Sequence, residues 1–158
     1  MSAPVPAQRI LQLAVVFTLV GSSVAFSAER FPAATWRRVK TYDMSELQKM
    51  EPLPMRKIVG VRFNYRHAEI RHLKPNWYQG SIWRYRREGA RDKFDHIQVM
   101  VAKNDLEPFR AISDDFQAGR QYVVYGQVLE DPDAKFIFLR LLGTKVKRDS
   151  KGRVTVSW

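Results

Sequence analysis

The sequence contains no cysteine among its 158 residues, which excludes disulfide bridges, thiolate zinc sites and thiol nucleophiles. Histidine is scarce as well, with three residues at His67, His72 and His96. A metal centre needs histidines and carboxylates in one cluster, and only Glu69 accompanies them in this part of the sequence. No catalytic base, nucleophile or glycine-rich phosphate loop stands out either. We therefore expect no metal site, no cofactor and no catalytic residue, and predict that the protein is not an enzyme.

Acidic residues are also few, since 16 Asp and Glu stand against 27 Lys and Arg and leave a net charge of +11. Such a balance favours acidic partners, namely nucleic acid, anionic glycans or lipid headgroups. The hydrophobic content of 45% excludes wholesale disorder. The length suits one domain with a core of its own.

Long apolar runs are missing except near the N-terminus, where residues 10–20 are strongly apolar. A basic residue precedes this run and small residues follow it, an order that resembles a secretory signal peptide over residues 1–28. Cleavage is predicted after Ala25 or Ala28, which would export the protein to the periplasm or beyond the cell. The alternative is an uncleaved inner-membrane anchor formed by residues 10–28, although the apolar part is short for a span of about 20 residues. Membrane contact is expected only through this segment.

The rest of the chain divides at a cluster of prolines. Residues 29–54 read as a lead-in or linker, and residues 55–158 as the folded domain. Whether the lead-in packs on the domain or trails from it stays open at this point.

Alternating apolar and polar residues predict strands over most of the domain. In the first strand, within residues 57–67, the predicted inward side chains are Val59, Val61, Phe63 and Tyr65. In the second strand, Trp83 and Tyr85 are predicted to point inward and Arg84 and Arg86 outward. The third strand places Ile97, Val99 and Val101 on one side, after a polar turn predicted over residues 88–95.

The period then changes to that of a helix. Leu106, Phe109, Ile112 and Phe116 recur at steps of three and four residues, and Gly119 follows the predicted end. This predicts one amphipathic helix over residues 104–119. Two further strands flank a turn at residues 131–134, and a short hairpin ends the chain.

This order of elements over residues 55–147 resembles that of the OB fold, the group of oligonucleotide- and oligosaccharide-binding barrels. The resemblance rests on the order, on Gly60 within the first strand and on Gly126 within the fourth. It implies a mainly β protein, a small closed OB-like barrel of five or six strands with one helix between strands 3 and 4. A β-sandwich with one helix is the alternative, and an SH3-like barrel fits less well because it lacks the helix.

In OB folds, ligands generally lie across the second and third strands and the adjoining loops. Residues 62–91 carry eight basic residues against two acids, interleaved with aromatic rings. The predicted ligand-binding residues are basic or polar side chains expected on an outward face and two rings expected in a loop: Arg62, Asn64, Arg66, Arg84 and Arg86, with Trp77 and Tyr78. The competing interpretation is a solvated strand face, with the two rings closing one end of the barrel.

These features together predict an exported, non-catalytic binding module with a basic and aromatic face for a polyanion. The expected ligand is single-stranded nucleic acid or an anionic envelope polymer such as an acidic glycan. The alternative is an envelope module for protein–protein interaction or assembly, with the loop around Trp77 as its anchor.

Overall fold

The computed structural model describes residues 38–130 and 137–158. The predicted signal peptide (residues 1–28) and the predicted turn at residues 131–134 lie outside the described residues. In the part of the chain that is described, no helix is long and apolar enough to cross a membrane.

Ten strands and two short α-helices make up the regular structure of the described residues. The strands are β1 (Thr41–Asp43), β2 (Ile58–Phe63), β3 (Tyr65–Arg66), β4 (Arg71–Lys74), β5 (Trp77–Glu88), β6 (Arg91–Ala102), β7 (Tyr122–Glu130), β8 (Ile137–Gly143), β9 (Lys145–Arg148) and β10 (Val154–Ser157). The helices are α1 (Met44–Gln48) and α2 (Leu106–Arg110).

The first eight strands form one sheet, and β9 and β10 form a separate hairpin. Within the sheet the hydrogen-bonded order is β1, β2, β7, β8, β6, β5 and β3. Strand β4 also pairs with β5, outside this order. The mainly β, OB-like architecture predicted from the sequence is confirmed, including a helix between β6 and β7. The prediction of a closed barrel is corrected, because the hydrogen-bonded order has two ends.

The lead-in segment explains why the ladder stays open. β1 pairs in parallel with β2, from Thr41 opposite Gly60 to Asp43 opposite Arg62, while β7 holds the other edge of β2. Both edges of β2 are therefore occupied, and the edge of β5 that is not paired with β6 pairs with β3 and β4 instead of β2. A Cβ on Gly60 would lie 2.7 Å from Thr41 Oγ1, so the close approach of β1 requires glycine there.

Helix α1 continues directly from β1 and packs its apolar side on the core. Met44 and Leu47 are both 0% exposed and belong to the same buried cluster as the strands. The lead-in therefore packs on the sheet over these residues, and the compact part of the chain begins before Met55.

Asn64 separates β2 from β3 and reverses which side of the segment faces the core. Its side-chain amide pairs with the backbone of Tyr85, donating from Nδ2 to the carbonyl at 2.9 Å and accepting at Oδ1 from the N–H at 2.7 Å. The side chain thus takes the position of a backbone partner in the ladder. Phe63 before it lies in the core, whereas Tyr65 after it lies opposite Trp83 on the outer side. Tyr65 is nevertheless buried, with 9% of its surface exposed, and it packs against the rings of Trp83 and Phe116 rather than in the core cluster.

The core confirms most of the predicted inward residues of the first and third strands. Val59, Val61 and Phe63 are buried, as are Ile97, Val99 and Val101. Ile82 of β5 is 0% exposed and packs with them, and it fixes which side of β5 points inward. The polar turn predicted over residues 88–95 is confined to Gly89 and Ala90, because β5 and β6 are paired without interruption up to Glu88 and Arg91.

The predicted helix over residues 104–119 is shorter than expected. A 3₁₀ turn at Lys103–Asp105 leads into α2, which ends at Arg110, and a second 3₁₀ turn covers Phe116–Ala118. At the end of the helix, Arg66 donates to the carbonyls of Arg110 and Ile112, which have no partner within the helix. The hydroxyl of Ser113 also accepts from the N–H of Asp115, a local hydrogen bond that competes with helix.

We expect Asn64→Ala to lower the free energy of unfolding by about 2–4 kcal/mol, because two backbone groups of Tyr85 lose their partners. Urea denaturation followed by circular dichroism measures the change. Arg62→Ala is the matched control, since Arg62 is exposed on the same segment and its loss should cost less than about 0.5 kcal/mol. Equal losses in the two variants would contradict this role for Asn64.

Candidate functional site

The outer side of β5 and β6 carries a continuous group of rings, which we call the ring face. Its members come from β3, β5, β6 and the segments that follow β3 and α2, and they contact one another: Tyr65, His67, Trp83, Tyr85, Phe94, His96 and Phe116. Alternation along β5 places Trp83 and Tyr85 opposite to Ile82, on the side away from the core.

Trp83 lies at the centre of the ring face. Its ring is stacked on His96 with a centroid distance of 4.8 Å, on His67 at 5.8 Å and on Tyr65 at 5.9 Å. The indole N–H donates to Ser81 Oγ at 2.8 Å, which fixes the orientation of the ring. Trp83 is partly exposed, and His67 and His96 are exposed. The stack is therefore preformed, and the rings of His67 and His96 are its exposed members.

Phe94 extends the ring face towards the β5–β6 turn. It is 43% exposed, although it is a large apolar side chain. Its ring lies 5.2 Å from Tyr85 and 6.0 Å from Phe116. The hydroxyl of Tyr85 donates to Asp92 Oδ1 at 2.8 Å, and this hydrogen bond raises the pKa of Tyr85. Tyr85 thus remains a neutral ring held in place by Asp92.

A polar cleft of about 220 Å³ adjoins Trp83 at the other end of the ring face. It is lined by two rings and by hydrogen-bonding groups: His67, Glu69, Arg71, Gln79, Gly80, Ser81, Trp83 and Gln98. Gln79 Nε2 donates to Gln98 Oε1 at 3.3 Å, so the two amides lie side by side. The remaining amide groups can donate to and accept from the edge of a planar ligand.

The charges at this cleft are exposed and partly paired. Arg71 Nε donates to Glu69 Oε1 at 2.7 Å, and this hydrogen bond lowers the pKa of the Glu69 carboxyl. Arg71 keeps further N–H groups in solvent, since its side chain is 71% exposed. An anion that reaches the cleft from solvent can therefore meet a guanidinium there.

The predicted arginines of the second strand do not form an outward face. Arg84 lies 3.8 Å from Asp43 Oδ2 of β1, and its side chain is 15% exposed. Arg86 pairs with Asp95 and donates to Ser45 Oγ of α1 at 3.2 Å. Both side chains point to the same side as Ile82 and lie beneath β1 and α1. We correct their placement, because the lead-in segment covers them.

Two further predicted residues are buried rather than outward. Asn64 is 8% exposed and bonded to Tyr85. Arg66 is 6% exposed, donates to four backbone carbonyls and lies over the ring of Phe109 at 5.7 Å. Burial lowers the pKa of Arg66, whereas the charge of Asp114 raises it. Both side chains hold the fold together at the bend between β2 and β3.

The last three predicted residues lie outside the ring face. Arg62 is exposed on β2, where the segment pairs with β7 rather than β5. Trp77 and Tyr78 are partly buried and begin β5 instead of lying in a loop. The ring of Tyr78 contacts His72 of β4 edge-on at 5.4 Å and alternates to the opposite side from Trp83. Tyr78 is therefore not part of the central stack. Trp77 alternates to the same side as Trp83, but it lies at the start of β5, beyond Gln79 of the cleft.

The sequence reasoning missed the ring face because it assigned the two sides of β5 the wrong way round. Trp83 and Tyr85 were expected in the core and lie outside it. The available signal was Ile82, an aliphatic residue that alternates with Trp83 and shares its side with Gly80. A Cβ on Gly80 would lie 2.8 Å from the ring of Phe109, which shows that this side meets α2.

Comparison with known proteins gives little further information. No protein-family model matches this chain, and no curated protein matches it in sequence. One similar solved structure is a small single-stranded DNA binding protein from Mycoplasma pneumoniae, with 11% identity and a TM-score of 0.36. The match covers 53% of this chain and 86% of that one. With a TM-score that low, it gives no information on what this chain binds.

We expect Arg86→Glu to lower the free energy of unfolding by about 1–3 kcal/mol, since it would place a carboxylate against Asp95 beneath α1. Thermal or urea unfolding measures the effect. Arg87→Glu is the control, because Arg87 is its exposed neighbour, and it should change stability by less than about 0.5 kcal/mol. An unchanged stability of Arg86→Glu would show that the pair with Asp95 does not form.

Proposed function

We propose that the protein is a non-catalytic binding module that holds single-stranded nucleic acid on the ring face. The observation that carries the proposal is the stack of Trp83 with His96 at 4.8 Å and His67 at 5.8 Å on an open sheet surface. Unpaired bases stack on such rings whatever their sequence, because every base has a π-face. Paired bases in a duplex do not offer these faces, so a single strand is favoured.

The charges around the ring face support an anionic ligand. Arg71 stands at the cleft, and Arg87 lies on the side of β5 that carries Tyr85, near the β5–β6 turn. Both are exposed and stand at opposite ends of the ring face, where a backbone that follows the stacked bases would carry its phosphates. The proposal therefore no longer relies on Arg84 and Arg86.

Export stays part of the proposal. The N-terminal segment predicts a periplasmic or extracellular protein, with an inner-membrane anchor over residues 10–28 as the alternative. Nucleic acid is scarcer outside the cytoplasm than within it, and an anionic envelope polymer such as an acidic glycan is the other polyanion to test. Stacking rings favour the nucleic acid, since they add base contacts to the charge.

A protein partner is the second candidate, and the exposure of apolar side chains favours it. Phe94 is 43% exposed on the ring face, and Leu73 of β4 is 47% exposed. Aromatic side chains at the centre of a patch are typical anchors of protein interfaces. The affinity of such an interface would depend on Phe94 and only weakly on the salt concentration.

We expect Trp83→Ala to weaken binding of a labelled single-stranded oligonucleotide about tenfold or more, because one stacked base loses its platform. Fluorescence anisotropy measures the affinity. Tyr78→Ala is the matched control, a ring on the same strand but the opposite side, and should leave the affinity unchanged. Phe94→Ala, at a position that is 43% exposed, should weaken binding as well. Loss in Tyr78→Ala but not in Trp83→Ala would contradict the ring face as the site.

The same titration with a sulfated glycan, at about 50 and 200 mM salt, separates the candidates. If two or three phosphates are neutralised, the oligonucleotide affinity should fall about tenfold between these salt concentrations. If the glycan binds tightly and Trp83→Ala does not change its affinity, the proposed ligand would be an envelope polymer instead of nucleic acid. If neither ligand binds, a protein partner would be the remaining candidate.

A further inference from the structure

A second concave surface is lined by residues of the lead-in segment and of β2, and we call it the basic groove. It has a volume of about 680 Å³ and runs between β1, β2 and the chain that joins α1 to β2. Apolar side chains form its floor: Tyr42, Met50, Pro52, Leu53, Pro54, Met55, Ile58 and Val59. No residue of the ring face or its cleft contributes to it.

Three cations stand at the rim of the basic groove, namely Arg38, Lys40 and Lys57. Among the described residues, no carboxylate lines the groove, and none of the three cations forms an ion pair within 4.0 Å. Lys40 Nζ lies 4.6 Å above the ring of Tyr42, which places its charge next to the apolar lining. The groove thus combines an apolar floor with a positive rim.

This combination does not suit nucleic acid. The one ring in the lining, Tyr42, is 8% exposed, so bases have no stacking platform. The floor instead consists of methionine, leucine and proline side chains, which would gain from covering by an apolar chain. Met50 and Met55 are only partly buried, and methionine adapts to irregular apolar shapes.

We propose that the basic groove binds an anionic amphiphile, a molecule with an alkyl chain and a phosphate or carboxylate head. The alkyl chain lies along Met50, Leu53 and Met55, and the head meets the cations at the rim. Charge complementarity supports this occupant, because a neutral chain would leave three like charges around an apolar ligand without a partner. The ligand comes either free or as part of a membrane surface, and the two sources share this chemistry.

Dodecyl phosphate below its micelle concentration is the direct probe, added to the full chain labelled at the methionine methyl groups. We expect the NMR signals of Met50 and Met55 to shift with saturation, while that of Met44, which is 0% exposed in the core, stays in place. Dodecyltrimethylammonium has the same alkyl chain and the opposite charge, and it should shift them much less. Equal binding of the two, or no shift at Met50 and Met55, would overturn the proposal.

Charge reversal at the rim tests the role of the cations. Lys40→Glu with Lys57→Glu should weaken dodecyl phosphate binding about tenfold or more, because attraction becomes repulsion. Lys145→Glu with Lys147→Glu makes the same change in net charge on the exposed strand β9 and should have no effect. The same loss in both double variants would overturn the proposal in favour of a general charge effect.

Vesicles separate the two sources of the ligand. All variants keep the same N-terminal apolar segment, so a difference between them in binding to phosphatidylglycerol vesicles reports on the groove. A loss in Lys40→Glu with Lys57→Glu supports the groove as a membrane-lipid site, and unchanged vesicle binding with lost dodecyl phosphate binding supports a free amphiphile. An acidic peptide that displaces dodecyl phosphate at equal affinity would overturn the proposal in favour of a protein ligand.

Discussion

The structure depends on one side chain that completes a β-ladder in place of the backbone. Asn64 bonds both polar groups of Tyr85 through its amide, so the chain can break from β2 to β3 without leaving a buried donor or acceptor unpaired. Because side chains alternate along a strand, Phe63 and Tyr65 would share one side without this break. With it, Phe63 packs in the core cluster and Tyr65 is buried against the rings of Trp83 and Phe116. The outward turn of Tyr65 lets it stack beside Trp83, and the ring face follows from that contact.

The lead-in segment is equally important for the arrangement of the sheet. β1 takes the edge of β2 that a closing strand would need, and α1 buries Met44 and Leu47. The same segment brings Asp43 to Arg84 and Ser45 to Arg86, and Arg86 also pairs with Asp95 of β6. The side of β5 that is richest in charge is thus internal, and the side richest in rings meets solvent.

The sequence predicted most strands and the helical segment, but it assigned the wrong side of β5 to the core. The reason is physical. Alternation and period revealed the mainly β architecture and the helical segment after β6, and aliphatic residues such as Val99 and Val101 lie in the core as expected. Alternation alone does not say which side is inside, and aromatic rings beside arginines suggested the wrong answer for Trp83 and Tyr85. The bond of Asn64 to Tyr85 joins residues 21 positions apart. No local pattern reveals such a contact.

The position of the binding site along β5 is tested most directly by the indole N–H signals of the protein during titration with a single-stranded oligonucleotide. The chain has four tryptophans, so each indole can be assigned through single substitutions. Our account predicts that the Trp83 signal shifts on binding, since its N–H is fixed by Ser81 next to the cleft, while those of Trp77 and Trp158 stay in place. A shift of Trp77 with an unmoved Trp83 would contradict it and return the site to the start of β5.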